Sequence, residues 1–276
     1  MTIDPQIIQP NDWAWDQRRL THALLRDHAT GALGTIGTAD APDGAADPPL
    51  LSVLAAAGAH LDSASDCGSD VTATRLWQTI IAPHCQGQSA VMALLDITNL
   101  QIAGRVICVT GYGPNGQSVA RAARAMGAQT VVVSTNPVDR AQAFASGFRA
   151  MLQLPVCDVV FATSDATVDL ARLSQGVILC AVDADALPDL GAGKPVRDHV
   201  TTHAIANGTT VKLIAGGAPI AQTSGAGMPH ALADLASALW LNAALATSNA
   251  GTAPMSEAAL AALWLHLHFD EDATNG

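Results

Sequence analysis

Lysine is nearly missing from this chain: Lys194 and Lys212 are the only two in 276 residues, and the formal net charge is −11. No cationic stripe is left to neutralise a phosphate backbone, so nucleic acid is not an expected partner. Aromatic residues make up only 4% of the chain, with Tyr112 the single tyrosine, and charged residues only 13%. The five cysteines (Cys67, Cys85, Cys108, Cys157 and Cys180) show no CxxC spacing. Their odd count and irregular spacing argue against a disulfide framework and a zinc site, and the expected setting is a reducing cytoplasm. No apolar run reaches the length of a membrane span, and the opening MTIDPQIIQPNDW is too polar for a secretory signal. Neither a membrane partner nor export is expected. What is present is an alanine-rich chain, 49% hydrophobic, which is a compact globular composition. Its length suits one large α/β domain, or one with a smaller companion.

The densest signal is RVICVTGYGPNGQSVARAARAMGAQTVVVSTNP, residues 105–137. A β-branched apolar run (106–110) breaks into Gly111-Tyr112-Gly113-Pro114-Asn115-Gly116, an alanine-rich helical stretch follows to about Met126, and a second apolar run covers 130–133. Strand, glycine turn, helix, strand is the context that gives GxGxxG a meaning. Gly111 makes the tight turn, Gly113 lets a pyrophosphate approach the backbone, and Gly116 lets helix and strand pack closely. The free N–H groups at the helix start then favour an anion. A dinucleotide is therefore expected over residues 111–116.

One residue is missing from that unit. NAD-selective folds usually end the second strand with a carboxylate that binds the ribose hydroxyls. Here it ends Val133-Ser134-Thr135-Asn136-Pro137, with Asp139 and Arg140 beyond the proline. Ser134, Thr135, Asn136 and Arg140 are the candidates for this end of the ligand, and with an arginine present a 2′-phosphate is as acceptable as a diol. NAD and NADP both stay open, with an S-adenosyl ligand as the alternative.

Further along, helical and apolar runs alternate: helix near 138–146, strand to 152, strand 157–162, helix 168–173, strands 176–182 and 211–215, and a long apolar helix over 231–246. This predicts a Rossmann-like, doubly wound parallel α/β sheet over residues 86–246. A small, reduced α/β portion is expected over 1–85, with a mobile loop at 31–49, a helix over 50–57, a weak strand to 66 and a helix over 70–83. A C-terminal helix and tail are expected over 247–276. Ligands lie beyond the carboxyl ends of such strands, which puts Thr163, Ser164 and Asp183 on the same rim as the glycine turn. Asp183 can bind a ribose or act as a base, or cap the next turn. Asp66 and Asp70 are expected to cap the helix starting near Val71. His84 and Cys85 are adjacent in sequence and so poorly placed to face each other. His199 and His203 have i,i+4 spacing but lie in a β-branched segment without a carboxylate, so no metal is expected.

The order of these segments resembles the cofactor-binding half of the S-adenosylhomocysteine hydrolase family. The carrying stretches are CQGQSAVMALLDITNLQIAGRVICVTGYGPNGQ from Cys85, VILCAV from Val177, VKLIAGGAPIAQTSGAGMPHALADLASALWL from Val211 and SEAALAALWLHL from Ser256. In that family a bound NAD oxidises the nucleoside 3′-hydroxyl, acidifying the 4′-hydrogen for elimination of the thiol. The resemblance therefore implies a nucleotide-binding oxidoreductase-type domain in an oligomer, here a homodimer, with a small-molecule ligand. It also points His230, in Gly227-Met228-Pro229-His230, at the ligand cleft as a proton-transfer group. The departures are specific. Gln117 stands where the family has lysine, and Ile80-Ile81-Ala82-Pro83-His84 lacks its Lys–Asp pair. The histidine of its GHPSF stretch has moved across the proline to His230, and the lysine- and tyrosine-bearing tail has no counterpart. The expectation is an enzyme with a reduced substrate domain that no longer performs ordinary S-adenosylhomocysteine hydrolysis and acts on a small nucleoside- or polyol-like metabolite. An S-adenosylmethionine-type transferase or binding protein, and a non-catalytic partner protein, are the alternatives.

Overall fold

A computed structural model describes residues 13–27, 33–42, 45–46, 48–66, 68, 70–206, 208–223, 227–248 and 254–269. In chain order its elements are helices α1 (Trp13–Asp16) and α2 (Arg19–Asp27), strand β1 (Thr35–Gly37), helix α3 (Pro48–Ala56) and strand β2 (His60–Asp62). Then come α4 (Gly87–Thr98), β3 (Val106–Thr110), α5 (Pro114–Ala125), β4 (Gln129–Val133), α6 (Pro137–Ala145), β5 (Arg149–Met151), β6 (Val159–Ala162) and β7 (Ile178–Ala181). The chain continues through β8 (Lys194–Arg197), β9 (Val200–Ala204), β10 (Thr210–Ile214), α7 (Ile220–Thr223), α8 (His230–Thr247) and α9 (Glu257–Phe269). These form two compact units: residues 82–227, and residues 1–81 together with 228–276.

The unit of residues 82–227 is a Rossmann-like α/β fold. Its eight-stranded sheet has the order β5-β4-β3-β6-β7-β10-β9-β8. The first six strands are mutually parallel, which is the 3-2-1-4-5-6 order of a dinucleotide fold, with β9 and β8 added antiparallel. Continuous apolar runs suit strands covered on both faces. Along β3, Ile107 and Val109 enter the core facing α4 and α5, while Cys108 between them enters the core on the opposite face. Each such buried aliphatic side chain contributes roughly 1.5–3 kcal/mol. The second face is covered mostly by irregular chain, through Leu154, Val168, Leu173 and Ile205. The helix expected over 168–173 is a single 3-10 turn, Leu170–Arg172, whose first turn Asp169 caps through the Ala171 N–H at 3.1 Å.

The β8–β9 ribbon carries no signal in the sequence because β8 is exposed at every residue. Pro195 suits that edge position, where a missing N–H is harmless.

The other unit joins both ends of the described chain. The segment 31–49, expected to be a mobile loop, contains β1, which pairs in parallel with β2 and buries Ile36. Its glycine- and proline-rich flanks hide a strand whose partner lies some twenty-five residues away. Residues 70–83, expected to be helical, form a 3-10 turn (Val71–Ala73), capped by Asp70 through the Thr72 N–H, and a five-residue π-helix (Trp77–Ile81). The hydroxyls of Thr74 and Thr79 bond carbonyls of Val71 and Arg75, and Thr74 also accepts from the Trp77 N–H; such bonds compete with an α-helical ladder. Cys67 lies outside the described residues. The helix at 231–246, expected to close the dinucleotide domain, is α8 and belongs to this unit, so that domain ends at 227 and not at 246. Period and apolarity identify such a helix, but not which core it enters.

α8 brings a buried aspartate to this unit. Asp234, wholly buried, accepts from the N–H groups of Leu20 (2.7 Å) and Thr21 (2.9 Å) and from the Thr21 hydroxyl (2.7 Å). It thus caps α2 from another helix, at the end where the macrodipole favours an anion. His268 of α9 meets the same carboxylate at 2.8 Å. Arg18 donates to the Ala233 carbonyl and the Ser237 hydroxyl, and the Trp264 indole to the Ala231 carbonyl at 2.7 Å.

Candidate dinucleotide site

The glycine turn sits at the carboxyl end of β3, at the point where strand order reverses between β4 and β6. Gly111 has φ +81°, and a Cβ there would lie 2.4 Å from Thr163 Oγ1 and 2.7 Å from Asp165 Cβ. Only glycine satisfies both the backbone and the space. Pro114 opens α5 at its first turn, where its missing N–H is harmless. Buried Thr163 donates its hydroxyl to the Thr110 carbonyl, locking β6 to β3 at the rim. Asp183, at the end of β7, accepts from Asn115 Nδ2 (2.6 Å), the Ser164 N–H (2.9 Å) and the Ser164 hydroxyl (3.2 Å). Its oxygens therefore hold the start of α5 and the loop after β6 in register, and it does not cap its own following turn.

Gly113 carries the second requirement, a close approach to the backbone. Its N–H donates to Asp165 Oδ2 at 3.0 Å, and a Cβ on Gly113 would stand 2.2 Å from that oxygen. The cradle thus accepts an anionic oxygen at hydrogen-bond distance, with the carboxylate standing in for what a phosphate would present. The residues present fit a pyrophosphate in that respect.

The end of β4 holds the carboxylate that its own residues lack. Asp139, in the first turn of α6, accepts from the Ser134 hydroxyl (2.9 Å) and from Asn136 Nδ2 (3.1 Å). Asn136 also caps α6 through the Val138 N–H at 2.9 Å. Arg140 is turned inward and donates to the carbonyls of Ser134 (2.7 Å) and Thr135 (2.9 Å), so its guanidinium steadies the loop. Beside this cluster a cavity of about 350 Å³ is walled by Val133, Leu152 and Leu154, with Ser134, Thr135, Thr110 and the Asp169–Arg172 ion pair on its polar side. A slot with an apolar wall facing hydroxyl and charged groups suits a nucleoside.

The structure thus brings Gly111, Gly113, Asn115, Gly116, Thr163, Ser164 and Asp183 together at one rim, with Ser134, Thr135 and Asn136 beside them. Tyr112 departs from the expectation: its side chain is buried in the core, edge-on to Phe148 at 5.9 Å, because the turn points its second residue inward. His230 opens α8 in the other unit, so its proton-transfer role rests on the resemblance alone. The described contacts of His84 and Cys85 run to different partners. His84 Nε2 lies 3.5 Å from Arg121, and burial with that neighbouring cation holds the imidazole below its ordinary value; Cys85 Sγ faces the Ala82 carbonyl. Cys108 and Cys180 are core residues, their thiols pushed up by the Cys157 thiol and by burial respectively. Among the described residues no group of three or more metal-ligating side chains could hold a metal ion. No described helix is long and apolar enough to cross a membrane. Asp165 carries little signal in the sequence, being only a carboxylate two residues beyond Thr163 on the expected rim.

Fold and rim together define a dinucleotide-binding domain. Residues 84–222 match the model of the S-adenosyl-L-homocysteine hydrolase NAD-binding domain, and the chain belongs to that family. It is 31% identical over 175 residues to the adenosylhomocysteinase of Thermotoga maritima, which covers 58% of this chain and 43% of that one. It is 32% identical over 170 residues to the S-inosyl-L-homocysteine hydrolase of Methanopyrus kandleri, covering 55% and 40%. The chain thus spans about two fifths of the length of these relatives. Among solved structures, a dipicolinate synthase chain from Bacillus halodurans is similar over 73% of this chain and 65% of that one, with 20% identity and a TM-score of 0.45. Likeness at that level carries no functional argument.

Proposed function

We propose that this chain binds NAD in preference to NADP, across the 111–116 turn, and uses it on a small nucleoside- or polyol-like metabolite and not for ordinary S-adenosylhomocysteine hydrolysis. The observation carrying the NAD assignment is the Asp139–Ser134–Asn136 cluster at the end of β4. A carboxylate with adjacent hydroxyl and amide groups suits a ribose diol, and it repels a 2′-phosphate that the inward-turned Arg140 is not placed to meet. Bound NAD supplies a hydride acceptor. The chain's own residues hold its adenosine end in the slot beside Val133 and Leu154, and Asp183 fixes Asn115 and Ser164 beside the turn. Support for changed chemistry comes from Gln117 and from the missing Lys–Asp pair near His84. The reading includes a cytoplasmic homodimer, favoured by the exposed Leu265 and Phe269 of α9.

A second reading, an S-adenosyl ligand, is favoured by the position of Asp165, since such a ligand brings a cationic sulfonium or ammonium and no phosphate. Thermal unfolding of ligand-stripped protein against NAD, NADH, NADP, NADPH, S-adenosylmethionine and S-adenosylhomocysteine separates the two. A ligand at 100 times its Kd stabilises by about 2.7 kcal/mol. The expected result is a rise with NAD and NADH well above that with the 2′-phosphorylated pair. A rise confined to the S-adenosyl ligands moves the assignment to the second reading, and no rise with any ligand removes both.

A further inference from the structure

Asp165 is at odds with the site it occupies. Its Oδ2 takes the Gly113 N–H at 3.0 Å and lies 3.5 Å from the Thr163 hydroxyl, at the start of a twelve-residue helix. The helix dipole and the free first-turn N–H groups make that spot attractive to any anion, and the chain has placed its own anion there. Arg172 is paired with Asp169 at 3.2 Å, Arg140 is turned onto two carbonyls, and Asp139 and Asp183 add two more carboxylates to the same strand ends. A pyrophosphate approaching Gly113 meets the Asp165 carboxylate in the space that Gly113 leaves by having no Cβ. The two anions cannot share that donor, and like charges brought into contact there repel. Asp165 is itself solvent-exposed, on the loop after β6, and so is free to turn aside.

We propose that Asp165 is an internal competitor for the phosphate cradle: it must leave Gly113 before a dinucleotide seats, and it sets how tightly this chain holds one. The inference rests on the NAD reading above and adds a specificity-determining residue to it. Discrimination then acts on ligand charge. Ligands with a pyrophosphate bear the cost of displacing the carboxylate, whereas an uncharged nucleoside that fills only the slot beside Val133 does not.

The test is calorimetric titration of the full chain and of Asp165→Asn and Asp165→Ala with NAD, ADP-ribose and adenosine. The Asn variant keeps the size and an acceptor for Gly113 without the charge; the Ala variant removes both. Expected is at least a tenfold gain in affinity for NAD and ADP-ribose in both variants, equal to about 1.4 kcal/mol, with adenosine affinity changed less than twofold. Unchanged or weaker NAD binding in both variants, with measurable binding to the parent chain, overturns the role of Asp165 and leaves the NAD reading standing. A gain of equal size for adenosine also overturns it, since charge would then not be the cause. Failure of NAD to bind any of the three proteins, each shown to be folded by its thermal transition, overturns the NAD reading and this inference with it.

Discussion

The two units of this chain solve the same problem, satisfying polar groups at helix starts, by opposite means. In the dinucleotide unit the start of α5 follows directly on β3, and its conformation is carried by glycines and a proline within six consecutive residues. In the other unit the start of α2 is capped by Asp234, more than two hundred residues away on α8, with His268 of α9 on the same carboxylate. The first arrangement is written locally and leaves donors available to an anion. The second is assembled from distant segments and closes its donors with a buried charge. What distinguishes the glycine-turn rim from a structural joint here is therefore who answers the N–H groups: an exposed carboxylate at Gly113, or a wholly buried one at α2.

The sharpest way to break this comparison is Asp234→Ala. It leaves the Leu20 and Thr21 donors and His268 without their partner in a buried setting, and a loss of roughly 3–5 kcal/mol is expected in chemical denaturation. A loss below about 1 kcal/mol would show that α2 does not depend on its distant cap. Gly111→Ala comes next. The left-handed backbone and the overlap with Thr163 and Asp165 should together cost roughly 2–4 kcal/mol and remove the NAD-induced thermal shift. Retention of that shift at full size would mean that the turn is not the ligand cradle.

A smaller effect is expected from Asp183→Ala, which frees Asn115 and Ser164 while leaving the core intact. About 1–2 kcal/mol should be lost, with NAD affinity falling because the rim loosens; unaltered affinity would confine Asp183 to a purely structural part.

The smallest effect is a pH slope. Burial holds the His22 imidazole below its ordinary 6.5, against the opposing pull of Asp234. Below 6.5 the unfolded chain takes up this proton while the folded chain resists it. The stabilising contribution is therefore complete above that pH and is lost as pH falls towards the folded value. His22→Phe should flatten the fall in Tm on the acid side of 6.5; an unchanged slope would assign the acid sensitivity to other groups.

Most of the dinucleotide unit is legible residue by residue. β3, α5, β4 and β10 lie within a residue or two of where their apolar periods place them, because each buries a face whose pattern is local; α6 and β5 are placed as closely, although α6 buries only Ala143 and β5 no residue at all. The same logic fails for β1, whose flanks look like a linker, and for β8, which has no buried residue to reveal it. At the site, Gly111, Gly113 and Gly116 are legible from their spacing, but the roles of their neighbours are not. Tyr112 turns inward, Arg140 turns onto its own loop, and Asp139 supplies the carboxylate that the end of β4 lacks. Those outcomes depend on side-chain directions at a helix start, which spacing along the chain does not encode.

By itself the sequence determined the class: a parallel sheet with a glycine turn at its switch point, low in positive charge, and a family resemblance carried by the order of its segments. These are consequences of hydrophobic period and of the backbone freedom of glycine, both readable within a short window. Only the tertiary structure decided that α8 packs with α2, that Asp234 answers the start of that helix, and that Asp165 stands at Gly113. Each of these is a meeting of groups far apart along the chain, fixed by burial and by the need to satisfy polar atoms once water is excluded.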